Sequence, residues 1–110
     1  MNSQQQFLYL TTKGWKTETQ HRIEIWFASY ASIYYVISER KEKAHWVQNV
    51  MHNPRVLFTV NYKSFEGTAR TVDRFTEQRL AGEIADLMNT KYGWSDGLIV
   101  ELTPYEEVES

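Results

Sequence analysis

The segment Lys43-Ala44-His45-Trp46-Val47-Gln48-Asn49-Val50-Met51-His52-Asn53-Pro54-Arg55 puts cationic, aromatic and amide side chains on neighbouring turns. Trp46 and Asn49 are three residues apart, so a helix brings them to one face. A flat ring can stack on the indole, and the Asn49 amide can bond a ring carbonyl or a phosphate; otherwise Asn49 caps the chain where Pro54 breaks it. Ser38, Arg40, Lys41 and Lys43 gather at the helix start, where hydroxyls, cations and unpaired N–H groups favour an anion. The plain alternative is a solvated loop whose Glu39 and Glu42 offset the field. Lys16 and Arg22 form a second cationic pair, suited to a phosphate or polyanionic tail or else simply solvated.

A third group is Tyr92-Gly93-Trp94-Ser95-Asp96-Gly97. An aromatic loop between two glycines can move to cover a planar acceptor and exclude water. In that reading Tyr92 gives a proton to a reduced oxygen, and Trp94 and Ser95 face the acceptor. Trp94 can equally be an anchor of a satellite core. His45 and His52 share a helix face but have no third ligand, so no metal site is expected. No Ser-His-Asp order, phosphate-binding loop or close carboxylate pair supports hydrolysis or phosphoryl transfer.

The elements that position these residues belong to a single domain, since 110 residues suffice for one core. With 42% hydrophobic and 15% aromatic residues, four Trp and seven Tyr among them, the chain can offset its ordering entropy and also line a pocket for a planar ligand. Twelve basic and 14 acidic residues give a net charge of −2, which disfavours a nucleic-acid partner. The absence of cysteine excludes disulfides, thiolate catalysis and zinc-thiolate sites. Neither a signal segment nor an apolar run of about 18 residues is present, so a cytoplasmic protein without a membrane span is expected.

Residues 1–6 are expected as a flexible lead, 7–103 as the domain and 104–110 as a tail. Phe7 to Thr12 has strand composition and ends at the turn signal Lys13-Gly14. Gln20 to Tyr30 alternates, with Ile23, Ile25 and Phe27 on one face and Arg22, Glu24 and Trp26 on the other. A tight turn leads into Ile33–Ser38, and a helix over about Lys43 to His52 directs Val47, Val50 and Met51 to one side. Strands over Val56–Asn61 and Phe65–Val72 follow, with Gly67 marking a bulge or a close backbone approach. A second helix starts at the N-cap Thr76 and buries Leu80, Ile84, Leu87 and Met88; Leu98–Leu102 is the last strand. The order β-β-β-α-β-β-α-β, with connections too short for parallel crossovers, predicts a mainly β, six-stranded antiparallel barrel with two helices. Its interior is filled by side chains, so a ligand sits at a helix–strand junction or between subunits.

Leu10-Thr11-Thr12-Lys13-Gly14-Trp15-Lys16-Thr17, then Arg22 through Ile25-Trp26-Phe27, then Trp46-Val47-Gln48-Asn49 and Asn53-Pro54-Arg55-Val56, resemble the deazaflavin-dependent nitroreductase family. Phe65-Glu66-Gly67-Thr68-Ala69-Arg70 and Lys91-Tyr92-Gly93-Trp94 fit the same order, so the resemblance runs from about Leu8 to Leu102. It implies an FMN-binding-type split β-barrel of the pyridoxamine 5'-phosphate oxidase superfamily, commonly a homodimer. It also implies hydride transfer from F420 or FMN to a small planar quinone or nitro acceptor. Lys16, Arg22, Ser38 and Lys43 would hold the anionic part of the cofactor and Trp26, Trp46 and Asn49 its ring, although Trp26 also suits a subunit interface. The chain departs from the pattern at Glu24-Ile25-Trp26, where relatives often carry a proline, and at Glu39-Arg40-Lys41-Glu42, where they often carry Gly-Gly. Those departures leave room for a non-catalytic split barrel that binds or senses a planar ligand.

Overall fold

The computed structural model describes residues 7–14 and 19–108. Strands β1 (Phe7–Lys13), β2 (Gln20–Tyr30) and β3 (Ile33–Ser38) precede a short 3-10 turn (Lys41–Lys43) and helix α1 (His45–His52). Strands β4 (Arg55–Val60) and β5 (Lys63–Val72), helix α2 (Gln78–Tyr92) and strand β6 (Leu98–Val108) complete the chain. The strands close into an antiparallel barrel in the order β1-β2-β3-β6-β5-β4, each strand pairing with two neighbours over at least part of its length, as the short connections require. Leu8, Leu10, Val36, Phe58, Val100 and Leu102 fill its interior at 0% exposure. A second cluster, built from Ile37, Val72, Ala81, Ile84, Met88 and Ile99, packs α2 onto the outside of the barrel.

Helix α1 buries Val47, Asn49 and Val50, with Trp46 partly covered. Met51 is 60% exposed, contrary to the expected core side. Asn49 is buried instead, its amide donating to the Thr12 hydroxyl at 3.0 Å, so the buried arc of α1 runs through residues 46, 47, 49 and 50 and Met51 lies beyond its edge. Leu87 of α2 is likewise 37% exposed and lies outside the stripe of Ala81, Ile84 and Met88.

Thr76 does not cap α2; the N-cap position is Glu77, with no side-chain bond of its own to the helix. The entry is organised instead by Asp73, whose carboxylate accepts from the Phe75 and Thr76 amides, and by Glu77, which accepts from the Asp73 amide and from Arg70. Arg70 also meets Glu101, which accepts from the Tyr35 hydroxyl, so three strands and the helix start share one polar network.

The last strand is longer than expected. β6 continues past Pro104 to Val108 and pairs with β5 down to Ser64, so residues 104–108 belong to the barrel and form no separate tail. Proline lacks an N–H and normally ends a ladder. Here Pro104 lies opposite Gly67, where the register shifts between Glu66 and Gly67, and this bulge absorbs the missing donor. A Cβ on Gly67 would run into the Thr103 carbonyl, so the bulge depends on glycine.

Candidate functional site

The groove follows from a break in the ladder. β2 and β3 pair from Tyr30↔Ile33 only as far as Phe27↔Val36. Continuing that register would set Trp26 opposite Ile37 and Ile25 opposite Ser38, but β3 goes on with β6 while Gln20–Trp26 stays with β1. Among the described residues, this half of β2 therefore has a neighbour on one side only. The wedge between the parted strands is a groove of about 860 Å³, within the usual size of a small-molecule site.

Because the groove runs along a strand edge, it meets both faces of β2. Ile23 and Ile25 line it from one face, Glu24 and Trp26 from the other. The opposite wall is Ile37, Ser38, Glu39 and Arg40, with Ala44, His45 and Trp46 of the α1 entry; Phe7, His21 and Trp94 complete it. Three indoles and several aliphatic side chains face a few polar groups, the composition of a site for a flat, partly polar ring.

Trp26 is held in place. Its ring stacks on Tyr92 with centroids 4.4 Å apart and planes 3° off parallel, and Trp94 meets it edge-on at 6.2 Å. The Tyr92 hydroxyl donates to the Phe27 carbonyl at 2.9 Å and accepts from the Phe27 amide at 3.1 Å. Burial holds the Tyr92 phenol above its ordinary pKa. The hydroxyl expected as a proton donor is thus committed to both backbone groups of Phe27. Lys91 reinforces the junction: its ammonium donates to the Phe27 carbonyl at 3.0 Å and sits 3.8 Å from the Phe27 ring centroid, and burial lowers its pKa.

The loop after α2 is pinned and does not have the form of a lid. α2 ends at Gly93 with φ 73°, a left-handed cap. Arg74 then donates to the Ser95 carbonyl at 2.8 Å and to the Gly97 carbonyl at 2.9 Å. Trp94 thus reaches the groove as a fixed wall, whereas Ser95 contributes a main-chain acceptor to Arg74 and does not line the groove.

Ser38 lines the groove but is 2% exposed, and its hydroxyl donates to the Lys41 carbonyl at 3.0 Å. Lys41 takes φ 57°, a left-handed conformation unusual for a side-chain-bearing residue, and the Ser38 bond helps fix that turn. Its effect is to hold Arg40 at the groove wall. Lys43 is exposed one turn away and outside the lining. Arg22 lies on the outer face, 4.6 Å from the Tyr9 ring centroid, and does not join the groove. Asn49 is buried with Thr12 and does not reach it either. Lys16 lies outside the described residues. Of the expected site residues, the fold therefore gathers Trp26, Ser38, Trp46 and Trp94, with Tyr92 behind Trp26.

Phe7, Ile23, Ile25 and Ile37 are wall residues that carry no sequence signal for that place: alternation marks Ile23 and Ile25 as ordinary core, and Phe7 and Ile37 read only as strand residues. Arg74 is likewise without a local signal, its acceptors lying 21 and 23 residues away. Replacing Asn49 by Ala is expected to cost about 1–3 kcal/mol by orphaning the Thr12 hydroxyl, with little change in ligand affinity. Thermal denaturation with a parallel binding titration checks this.

Among the described residues no helix is long and apolar enough to cross a membrane, and no three His, Cys, Asp or Glu residues converge as metal ligands. Similar folds are widespread among solved structures. A Listeria innocua protein provisionally assigned as a pyridoxamine 5'-phosphate oxidase superposes with TM-score 0.75 at 14% identity, covering 94% of this chain and 87% of its own. The heme storage protein HutZ of Vibrio cholerae gives 0.74 at 19%, covering 92% and 82%. An F420-H2 dependent reductase, FDR-A, gives 0.63 at 20%, covering 93% and 97%. At these identities the likeness establishes the split-barrel fold. A search of curated proteins finds no match. The family model described as F420H(2)-dependent quinone reductase, however, matches residues 2–95, nearly the whole chain. The chain belongs to the F420H(2)-dependent quinone reductase family.

Proposed function

We propose that the protein is an F420-dependent reductase of a small planar acceptor, a quinone or a nitro compound, and that the groove at the split between β2 and β3 is its active site. The observation that carries this is the set of indoles of Trp26, Trp46 and Trp94 around one groove of about 860 Å³. Family membership favours F420 over FMN. The donor set fits such a cofactor: aromatic and aliphatic walls take the ring, and the unpaired edge of β2 can offer main-chain groups to the ring's polar rim. Arg40 at the groove wall would hold the anionic part, and Lys16 and Lys43 are proposed to assist it.

When bound, the reduced deazaflavin supplies the hydride. The chain's own task is then to bind, orient and keep dry. Trp26, fixed by Tyr92, and Trp46, fixed by α1, restrict how a flat ring can lie. Trp94, held through Arg74, covers the acceptor side and excludes water from the transfer. Ser38 acts through the turn that presents Arg40. A homodimer is proposed as well, because Tyr9, Trp26 and Leu57 leave apolar area exposed on the outer face of β1, β2 and β4.

A second reading is a binding protein without turnover. Its support is the Tyr92 hydroxyl, which the Phe27 backbone already occupies, and the fold shared with a protein named for heme storage. Separate titrations of F420 and FMN, followed by intrinsic tryptophan fluorescence, test the cofactor assignment. Saturable quenching by F420 at micromolar concentration, with FMN weaker, is expected; a folded protein that ignores F420 refutes it.

A further inference from the structure

We propose that Tyr92 is a positioning residue that sets the aromatic wall of the groove through Trp26. The role rests on the groove being the ligand site, but the geometry behind it does not. Tyr92 stands at the last turn of α2, and its ring covers one face of the Trp26 indole at 4.4 Å in nearly parallel planes. Trp26 is 36% exposed and begins the part of β2 that has left β3, so no cross-strand neighbour on the β3 side restrains it. Within the sheet its one cross-strand neighbour is Phe7 of β1, so a partner from outside the sheet adds a second restraint on its orientation.

Tyr92 does so in two ways. Its ring is the stacking partner, and its hydroxyl closes both backbone groups of Phe27, the residue at which β2 and β3 part. The hydroxyl thereby fixes the backbone that carries Trp26, while the ring fixes the indole. Lys91 adds a second hand on the same carbonyl. The left-handed cap at Gly93 then turns the chain so that Trp94 meets Trp26 edge-on. The end of α2 therefore works as one clamp on the split, and its reach into the groove is the Trp26 indole. Tyr92 itself does not line the groove.

The expected consequence separates binding from chemistry. Tyr92→Phe keeps the ring but removes the hydroxyl's two bonds to Phe27, leaving Lys91 on the carbonyl, whereas Tyr92→Leu removes both devices. In the full chain, Tyr92→Phe is expected to raise the Kd for F420 and the KM for menadione about three- to tenfold, the weight of one hydrogen-bonded contact. Its kcat should stay within about twofold and keep the wild-type pH profile, because no proton is moved by the lost hydroxyl. Tyr92→Leu should raise Kd further. Near-ultraviolet circular dichroism of ligand-free protein provides a readout independent of the cofactor. The component lost in Trp26→Phe is the Trp26 signature, and it should shrink in Tyr92→Phe and vanish in Tyr92→Leu.

A Tyr92→Phe enzyme with unchanged Kd, a kcat more than tenfold lower and a shifted pH profile would make Tyr92 a proton donor and overturn the proposal. Unchanged Kd, KM and dichroism with only a lower Tm would overturn it too, by reducing Tyr92 to a stability role. If the wild-type protein takes no F420, the reductase reading fails, and the dichroism comparison alone still decides whether Tyr92 sets Trp26.

Discussion

Trp26→Ala is expected to weaken F420 binding about tenfold or more, the largest affinity loss of any single wall substitution. Among the described residues the indole is held by two aromatic partners, Tyr92 at 4.4 Å and Trp94 at 6.2 Å, so it meets a ligand in a fixed pose. A flat heterocycle stacked on an aromatic side chain gains about 1–3 kcal/mol, judged by alanine replacement in comparable stacks. Removing a preorganised partner forfeits that gain. The cost to folding is smaller, because Trp26 is 36% exposed and lies on the outer face of β2. About 1 kcal/mol of stacking with Tyr92 is lost, a shift of several degrees in Tm. Fluorescence cannot report cleanly on a variant lacking a tryptophan, so isothermal calorimetry is the measurement of choice. Equal affinity in wild type and variant would remove Trp26 from the site.

The second large effect falls on stability. Gly97→Ala is expected to cost about 2–4 kcal/mol and lower Tm by about 10 °C or more. Gly97 has φ 145°, a conformation that side-chain-bearing residues rarely adopt, and a Cβ there would fall against the Ser38 carbonyl and within 2.7 Å of the Ile37 Cγ2. Both neighbours line the groove, and Leu98 pairs directly with Ser38, so the strain passes into the β3–β6 junction that forms the far wall. Gly82→Ala is the internal control. It sits inside α2 with nothing within 4 Å of the added Cβ, and the helix should gain about 0.5–1 kcal/mol. Differential scanning calorimetry of the two variants should move Tm in opposite directions. A Gly97→Ala protein as stable as wild type would show that the β3–β6 junction can widen freely.

What could be read from the chain divides by distance. β2 is legible because alternation is local: Ile23, Ile25 and Phe27 do face inward, opposite Leu10, Leu8 and Val36. The barrel followed from connection lengths, and Gly67 did mark a bulge. The extent of β6 was not legible, since Pro104 reads as a stop until the bulge opposite it is known. Met51 and Leu87 failed for a related reason. Helical spacing says which residues share an arc, but the arc that α1 buries includes Asn49, bonded to Thr12 across 37 residues.

At the site, residue types were legible and their jobs were not. The sequence marks Trp26, Trp46 and Trp94 as aromatics suited to a ligand, and the fold brings all three to one groove. Asn49 and Tyr92 were picked out for their polar atoms. In the structure those atoms are spent within the protein, on Thr12 and on the Phe27 backbone. Short-range spacing cannot reveal that, because the partners come from other elements. Nor could it reveal the groove itself, which exists because the β2–β3 ladder stops at Phe27 while β3 goes on with β6.

The most direct test is the reoxidation of F420H2 by menadione, followed under anaerobic conditions as the absorbance of oxidised F420 returns. The rate is expected to rise in proportion to protein concentration, to saturate with F420H2 and to fall in Trp26→Ala chiefly through KM. A rate no greater than that of the protein-free mixture, from folded protein that binds F420, would contradict this and leave a binding protein in place of a reductase.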